Sequence, residues 1–192
     1  FYGEERDSFD VWGRTAHESI FNVNDGNFRC PNTQQGYTGF STWTRGLAWA
    51  MVGFPEELEA LGLFDDNELK PLGGREKIEK MMLKAARATC DFYIENTPVD
   101  GIPYWDTGAP NLHKLGDYLG KPADPFNAWE PVDSSAAAIG VQGLLRLGKY
   151  LQQKGETEEG NKYWQAGLTV MSSLLDYPYL STNPEHQGLL QH

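Results

Sequence analysis

The stretch Gln34-Gln35-Gly36-Tyr37-Thr38-Gly39-Phe40-Ser41-Thr42-Trp43-Thr44-Arg45-Gly46-Leu47-Ala48-Trp49-Ala50 holds the residues best equipped for ligand chemistry. Arg45 and Trp49 stand four apart in a segment of helical character, a spacing that makes their side chains neighbours. A guanidinium presents a planar set of donors matched to a carboxylate. An indole presents a flat apolar face against which the C–H groups of a sugar ring can lie. Together they suit an acidic sugar. Gly46 follows directly, and a glycine inside a helix costs about 1 kcal/mol relative to alanine; close approach of a ligand or of another backbone would explain it. The competing reading pairs Arg45 with a buried acid and puts Trp49 in the core, and composition alone favours it.

Other candidates read more simply as structure. Asp133 precedes a helical run and suits an N-cap, its carboxylate accepting from the free N–H groups of the first turn. Trp105-Asp106 lies on a loop that borders any cleft, and loop packing is favoured over ligand contact there. Glu18 and Asp25 are acids with no partner visible in sequence. Cys30 and Cys90 have no metal-ligand spacing and do not by themselves establish a disulfide.

The elements that must position these groups are helical. Asp7 or Ser8 can cap a first helix over 7–21, where Phe9, Trp12, Ala16 and Ile20 recur at helical spacing. Residues 22–40 are rich in turn formers and form a long irregular loop of the kind that is often functional. A helix is expected from about Ser41 to Leu61. Pro55, which lacks an N–H to donate, should end or kink it, leaving 56–61 as a short second piece. Residues 65–74 read as a linker, 75–97 as a strongly amphipathic helix stopped by Pro98, 98–132 as a long connection, 133–152 as a helix, and 157–176 as a last amphipathic helix. No strand pattern of period two stands out. Helices 41–54 and 133–152 are apolar or small on all sides, hence buried on both faces, whereas 75–97 and 157–176 have one polar face. The order inner, outer, inner, outer predicts an all-α fold, an (α/α)6 toroid of helical hairpins with the long loops forming a cleft at one end. A helical-repeat solenoid competes, but no fixed repeat is visible.

Four ordered segments carry a family resemblance. Gln35-Gly36-Tyr37 followed by Ser41-Thr42-Trp43-Thr44-Arg45-Gly46-Leu47-Ala48-Trp49-Ala50 resembles a signature of the unsaturated glucuronyl hydrolases, glycoside hydrolase family 88. Gly101-Ile102-Pro103-Tyr104-Trp105-Asp106, Asp133-Ser134-Ser135-Ala136-Ala137-Ala138-Ile139, and Asn183-Pro184-Glu185-His186-Gln187-Gly188-Leu189-Leu190-Gln191-His192 resemble three further family segments. The resemblance implies that Gln35 and Arg45 address a uronate, that Trp49 stacks near it, and that His17, on the helix before the loop, sits close to the reacting ring. It places His186 and His192 near the remainder of a bound saccharide, as weak candidates. The sequence departs from the family pattern at Gln34, usually His, and at Leu47, usually Gln. Both changes are expected to remove polar groups near the site.

The activity that the resemblance implies is removal of a 4,5-unsaturated uronic acid from the non-reducing end of lyase-generated oligosaccharides. An Asp protonates the C4=C5 double bond and activates a water that adds at C5; the resulting hemiketal opens and releases the rest of the saccharide. Such an acid must be protonated at working pH, which an apolar pocket favours. The resemblance puts that Asp and its partner N-terminal to His17, at positions with no counterpart here. The 192 residues then read as the C-terminal portion of one toroid domain, inactive alone, with the N-terminal half as a partner segment and the last helix also absent. Related unsaturated rhamnogalacturonyl hydrolases, a non-catalytic carbohydrate-binding toroid, another toroid enzyme and a helical interaction module are the alternatives. No metal or organic cofactor is implied.

Bulk properties narrow the partners. The formal charge is −11 with no clustered Lys and Arg, which argues against nucleic acid, while a small anion can still be held by one Arg. No apolar run is long enough to span a membrane. The opening Phe1-Tyr2 and closing Gln191-His192 read as cuts through a longer protein. Compartment is not encoded in these residues; the resemblance implies bacterial cytoplasm or periplasm.

Overall fold

The computed structural model describes residues 10–192. Its elements are β1 (Glu18–Phe21), β2 (Phe28–Asn32), α1 (Thr44–Ala60), the short α2 (Asp66–Leu69), α3 (Arg75–Glu95), α4 (Ser134–Gln153) and α5 (Thr157–Leu174), with 3₁₀ turns at Leu61–Leu63, Lys70–Leu72 and Leu112–Leu115. The helices form two successive hairpins, α1/α3 and α4/α5. Helices α1 and α4 pack side by side as the inner layer, with α3 outside α1 and α5 outside α4. The inner, outer, inner, outer order expected from the apolar patterns is thus observed.

The inner helices touch closely because glycine lets them. A Cβ on Gly143 of α4 would lie 2.3 Å from the Met51 carbonyl oxygen of α1. Around this crossing Leu47, Met51, Val141, Leu144 and Leu147 form the core together with Cys90 and Tyr93 of α3 and Tyr163 of α5. The phenol of Tyr93 donates to the Gly101 carbonyl at 2.8 Å, and burial, reinforced by the nearby Asp100 and Asp133 carboxylates, pushes its pKa up. The outer helices are tied by charge: Arg87 of α3 bridges to Glu156 and Glu159, and Asp91 accepts from Lys162 and Tyr163 of α5. Cys30 is exposed and Cys90 buried, both as free thiols.

Three sequence expectations are corrected. The first helix expected over 7–21 is not formed where it is described. Asp7, Ser8 and Phe9 lie outside the described residues, and Glu18–Phe21 is instead a strand paired antiparallel with β2, Ile20 opposite Cys30. The turn residues decide this: Asn22 and Asp25 side chains accept from the backbone N–H groups of Asn24 and Asn27, and Gly26 takes φ +71°, a chemistry that closes hairpins. Gly13, at φ +75°, packs against the Ala88 backbone of α3, where a helix carrying a side chain would not fit. The reading without strands therefore misses a two-stranded sheet. Second, α1 runs through Pro55 to Ala60. The proline is buried in the packing, and Glu56 and Glu59 beyond it both pair with Arg146 of α4, so tertiary contact outweighs the lost N–H. Third, α4 is not buried all round: Ser135, Gln142 and Lys149, two turns apart, form an exposed stripe.

The long connection before α4 is ordered where it passes the inner helices. Its segment Pro103–Asp106 runs between the N-termini of α1 and α4. Thr44 N–H donates to the Trp105 carbonyl at 3.1 Å, Trp105 N–H to the Pro131 carbonyl at 3.1 Å, and Asp133 N–H to the Pro103 carbonyl at 2.8 Å. Trp105 and Asp106 are packing residues, as expected. The Trp105 indole donates to the buried Glu130 at 2.7 Å. Asp106 is fully buried and accepts from the backbone N–H groups of Tyr37 and Gly108, each at 2.8 Å.

Two stability predictions follow from these contacts. Gly143→Ala should destabilise the fold by about 1–3 kcal/mol through overpacking at the α1–α4 crossing, read as a lowered melting temperature. Asp106→Ala should cost about 1–3 kcal/mol by removing the buried charged acceptor of two loop N–H groups and should raise amide exchange at Tyr37 and Gly108; unchanged exchange there would show that the carboxylate does not hold the loop.

Candidate functional site

The groups singled out by sequence are organised around the first turn of α1. Arg45 leaves that turn and meets Asp133 at the N-terminus of α4. Its Nε donates to both carboxylate oxygens (3.3 and 3.1 Å) and its Nη2 to Oδ2 at 2.9 Å. Asp133 also accepts from the Ala136 N–H at 2.8 Å, so it caps α4 as expected and binds the guanidinium as well. The pair is asymmetric in exposure: the Asp133 side chain is 3% exposed and that of Arg45 is 43%. The guanidinium is thus anchored from within but not sealed. One edge, Nε and Nη2, is held by Asp133; the opposite side, with Nη1, is directed away from that pairing.

Trp49, one turn along the same helix, is 58% exposed. The alternative that paired Arg45 with a buried acid and buried Trp49 is therefore half realised: the acid is present, but the indole is outside. Gly46 is approached by a side chain and not by another backbone. A Cβ there would meet the Trp43 indole at 2.8 Å, so the glycine makes room for that ring.

Trp43 is the residue that the sequence reading missed as an organiser. It is the N-cap position of α1, and its ring is close to two of the singled-out groups. The His17 imidazole is 4.9 Å from it, centroid to centroid, and the Arg45 guanidinium carbon 5.9 Å from its ring centre, within cation–π range. A tryptophan two residues before an arginine was the available signal, but its cap position hid its role.

His17 lies in the irregular segment just before β1, not on a helix as expected. The β1–β2 hairpin brings it next to the loop that follows. Its Nδ1 accepts from the Gln34 N–H at 3.2 Å and lies 3.2 Å from the Thr33 hydroxyl, whose oxygen already accepts from the Gly36 N–H at 2.7 Å. This network assigns Nδ1 as the acceptor and leaves the proton on Nε2. Gln35 is exposed. Gly36 beside it is pressed against Trp43 and Asp106: a Cβ would lie 3.0 Å from the Trp43 Cβ and 2.9 Å from Asp106 Oδ2. The structure therefore brings His17, Trp43 and Arg45 together and puts Gln35 on the adjoining loop and Trp49 on the next turn.

The two departures from the family pattern separate. Gln34 stays at the site through its backbone bond to His17. Leu47, by contrast, is 1% exposed in the core, so it removes no polar group from the exposed face of α1. His192 accepts through its backbone carbonyl from Ser134, next to Asp133, and its ring packs edge-on to Phe126 at 5.0 Å; His186 lies on an exposed turn. A cavity of about 370 Å³ lies elsewhere, lined by Tyr93, Pro98, Gly101, Ala166 and Val170. Among the described residues no group of three His, Cys, Asp or Glu side chains is gathered as a metal site. No helix there is long and apolar enough to cross a membrane.

No family model matches the chain. The unsaturated glucuronyl hydrolase of Bacillus sp. (strain GL1) is 29% identical over 175 residues, which are 91% of this chain and 38% of that protein. The unsaturated glucuronyl hydrolase of Formosa agariphila is 30% identical over 166 residues, 85% of this chain and 32% of that protein. The crystal structure of the Bacillus sp. GL1 enzyme, described as responsible for the degradation of glycosaminoglycan, superposes with a TM-score of 0.65 at 27% identity, over 93% of this chain and 38% of that one. A second solved structure of this type, bound to dGlcA-Glc-Rha-Glc, gives a TM-score of 0.64 at 27% identity over the same shares. The chain spans less than two fifths of the length of the curated relatives it matches. Its helical hairpins have the all-α toroid fold of these enzymes, and by both sequence and fold the chain is a relative of the unsaturated glucuronyl hydrolases.

Proposed function

We propose that the chain supplies the uronate-binding part of a hydrolase that removes a 4,5-unsaturated uronic acid from the non-reducing end of lyase-generated oligosaccharides. The observation that carries this reading is the half-exposed guanidinium of Arg45, anchored along one edge, beside the exposed indole of Trp49 one turn away. A sugar ring lying on Trp49 would bring its carboxylate to the Nη1 side of Arg45, a charge-assisted contact of the strong kind. The Nε2–H of His17, whose imidazole packs near the same Trp43 ring as the guanidinium, would donate to a ring or leaving-group oxygen. Gln35, on the adjoining exposed loop, would add an amide to the uronate. The relatives' names and the dGlcA-Glc-Rha-Glc complex support the substrate class.

The proton donor is proposed to lie outside these residues. Hydration of a C4=C5 double bond needs a carboxylic acid that carries a proton and can reach the ligand. The buried acids around this site are engaged within the fold. Asp133 accepts from Arg45 and Ala136, Asp106 from Tyr37 and Gly108, and Glu130 from Trp105 and Asn111. The chain's own contribution is then to bind and orient, and the N-terminal half is the partner that completes the ring.

The test is turnover of an unsaturated uronyl disaccharide by the full-length protein, followed as loss of the double bond's ultraviolet absorbance. Arg45→Ala should lower kcat/KM about 10- to 100-fold, the worth of a hydrogen-bonded charge, and Trp49→Ala about 3- to 10-fold, the worth of an aromatic contact. Residues 1–192 alone should show no turnover. Full activity in Arg45→Ala would end the uronate assignment, and turnover by the isolated chain would put the acid within it.

A further inference from the structure

We propose that Asp133 is a positioning residue for uronate recognition, acting through Arg45; the inference rests on the sugar-binding reading above. Capping α4 does not require an aspartate. Ser, Thr or Asn would serve the Ala136 N–H equally well. What only a carboxylate adds is a second oxygen, and that oxygen is committed to Arg45: Oδ2 takes Nε at 3.1 Å and Nη2 at 2.9 Å, side-on. Asp133 is itself immobile, with its side chain buried and its N–H donating to the Pro103 carbonyl at 2.8 Å. Trp43 also stands beside the guanidinium, its ring centre 5.9 Å from the Arg45 Cζ. An arginine carries many rotamers in solution, and one fixed along its Nε–Nη2 edge meets a ligand with its remaining donors already aimed.

Simple electrostatics predicts the opposite consequence. Asp133 offsets the charge of Arg45, so removing its negative charge would strengthen attraction for an anionic sugar if charge alone governed binding. If orientation governs it, the same change weakens binding. Asp133→Asn separates the two, since asparagine preserves the cap.

The experiment uses the full-length protein with two probes: unsaturated glucuronyl-N-acetylglucosamine disaccharide, and the same disaccharide with its uronate methyl-esterified. KM and kcat are measured for Asp133→Asn, Arg45→Ala, the double variant, and Arg45→Lys, which leaves the α4 cap untouched and keeps the charge but not the side-on edge. Glu159→Gln, which breaks an outer ion pair with Arg87, is the stability control. Asp133→Asn should raise KM for the acid about tenfold, the scale of a lost bond to a charged group, with a smaller change in kcat. It should leave KM for the ester unchanged and add nothing in the Arg45→Ala background. Arg45→Lys should reproduce its acid-specific loss, and Glu159→Gln should change only the melting temperature. Unchanged or lower KM for the acid in Asp133→Asn, equal losses on acid and ester, a further loss on top of Arg45→Ala, or wild-type KM in Arg45→Lys would each overturn the proposal. If Arg45→Ala itself leaves the acid's KM unchanged, it is the sugar-binding reading that fails instead.

Discussion

The carboxylate of Asp133 is where the two helical hairpins are joined at the N-termini of α1 and α4. Taking a carboxylate out of water costs several kcal/mol even after relaxation. Here the cost is offset three ways: by the Ala136 N–H, by the positive end of the α4 dipole, and by the guanidinium of Arg45. The arginine in turn needs the acid. It stands in the first turn of α1, where a cation opposes the helix dipole and where no acidic residue is present to balance it. Neither residue is well placed alone, and together they fix the N-termini of the two inner helices relative to each other.

Everything else near the site is arranged to keep that junction in register. The extended segment Pro103–Asp106 is hydrogen-bonded to Thr44 on one side and to Pro131 and Asp133 on the other, so the long connection acts as a spacer of set width. From the same segment Asp106 reaches back to the Tyr37 N–H and holds the loop that carries Gln35. The β1–β2 hairpin then delivers His17 to Trp43. Sites built from several loops are imprecise unless a supporting layer fixes them, and the buried Asp106, Asp133 and Glu130 form that layer.

Much of this was legible in the sequence because it rests on periodicity. The ends of α3, α4 and α5 fall within about two residues of expectation, the usual precision of a helix boundary. The neighbourhood of Arg45 and Trp49 follows from helix geometry alone, and Asp133 as a cap follows from its place before an apolar run. What was hidden rests on contacts distant in sequence. Phe9, Trp12, Ala16 and Ile20 have helical spacing, yet among the described residues 10–17 are irregular, with Gly13 against Ala88, and a hairpin follows from Glu18 because the Asn22–Asn27 turn closes. Pro55 should have broken α1, but Arg146, far along the chain, holds the turn beyond it. The second role of Asp133 was invisible for the same reason: its partner is 88 residues away.

The contrast between Gln34 and Leu47 shows how such a site can vary without losing its frame. Both positions differ from the family pattern, and from sequence both looked like losses of function-bearing groups. In the fold they differ in kind. Leu47 faces inward among Met51 and Leu144, where an apolar side chain is favoured and the exposed face of α1 is unaffected. Gln34 sits on the loop at His17, and what it gives the histidine is a backbone N–H, which any residue but proline would supply. The frame of the site therefore depends on main-chain donors and on three buried acids more than on the identity of its rim. A side-chain change at position 34 can leave His17, Trp43 and Arg45 where they are.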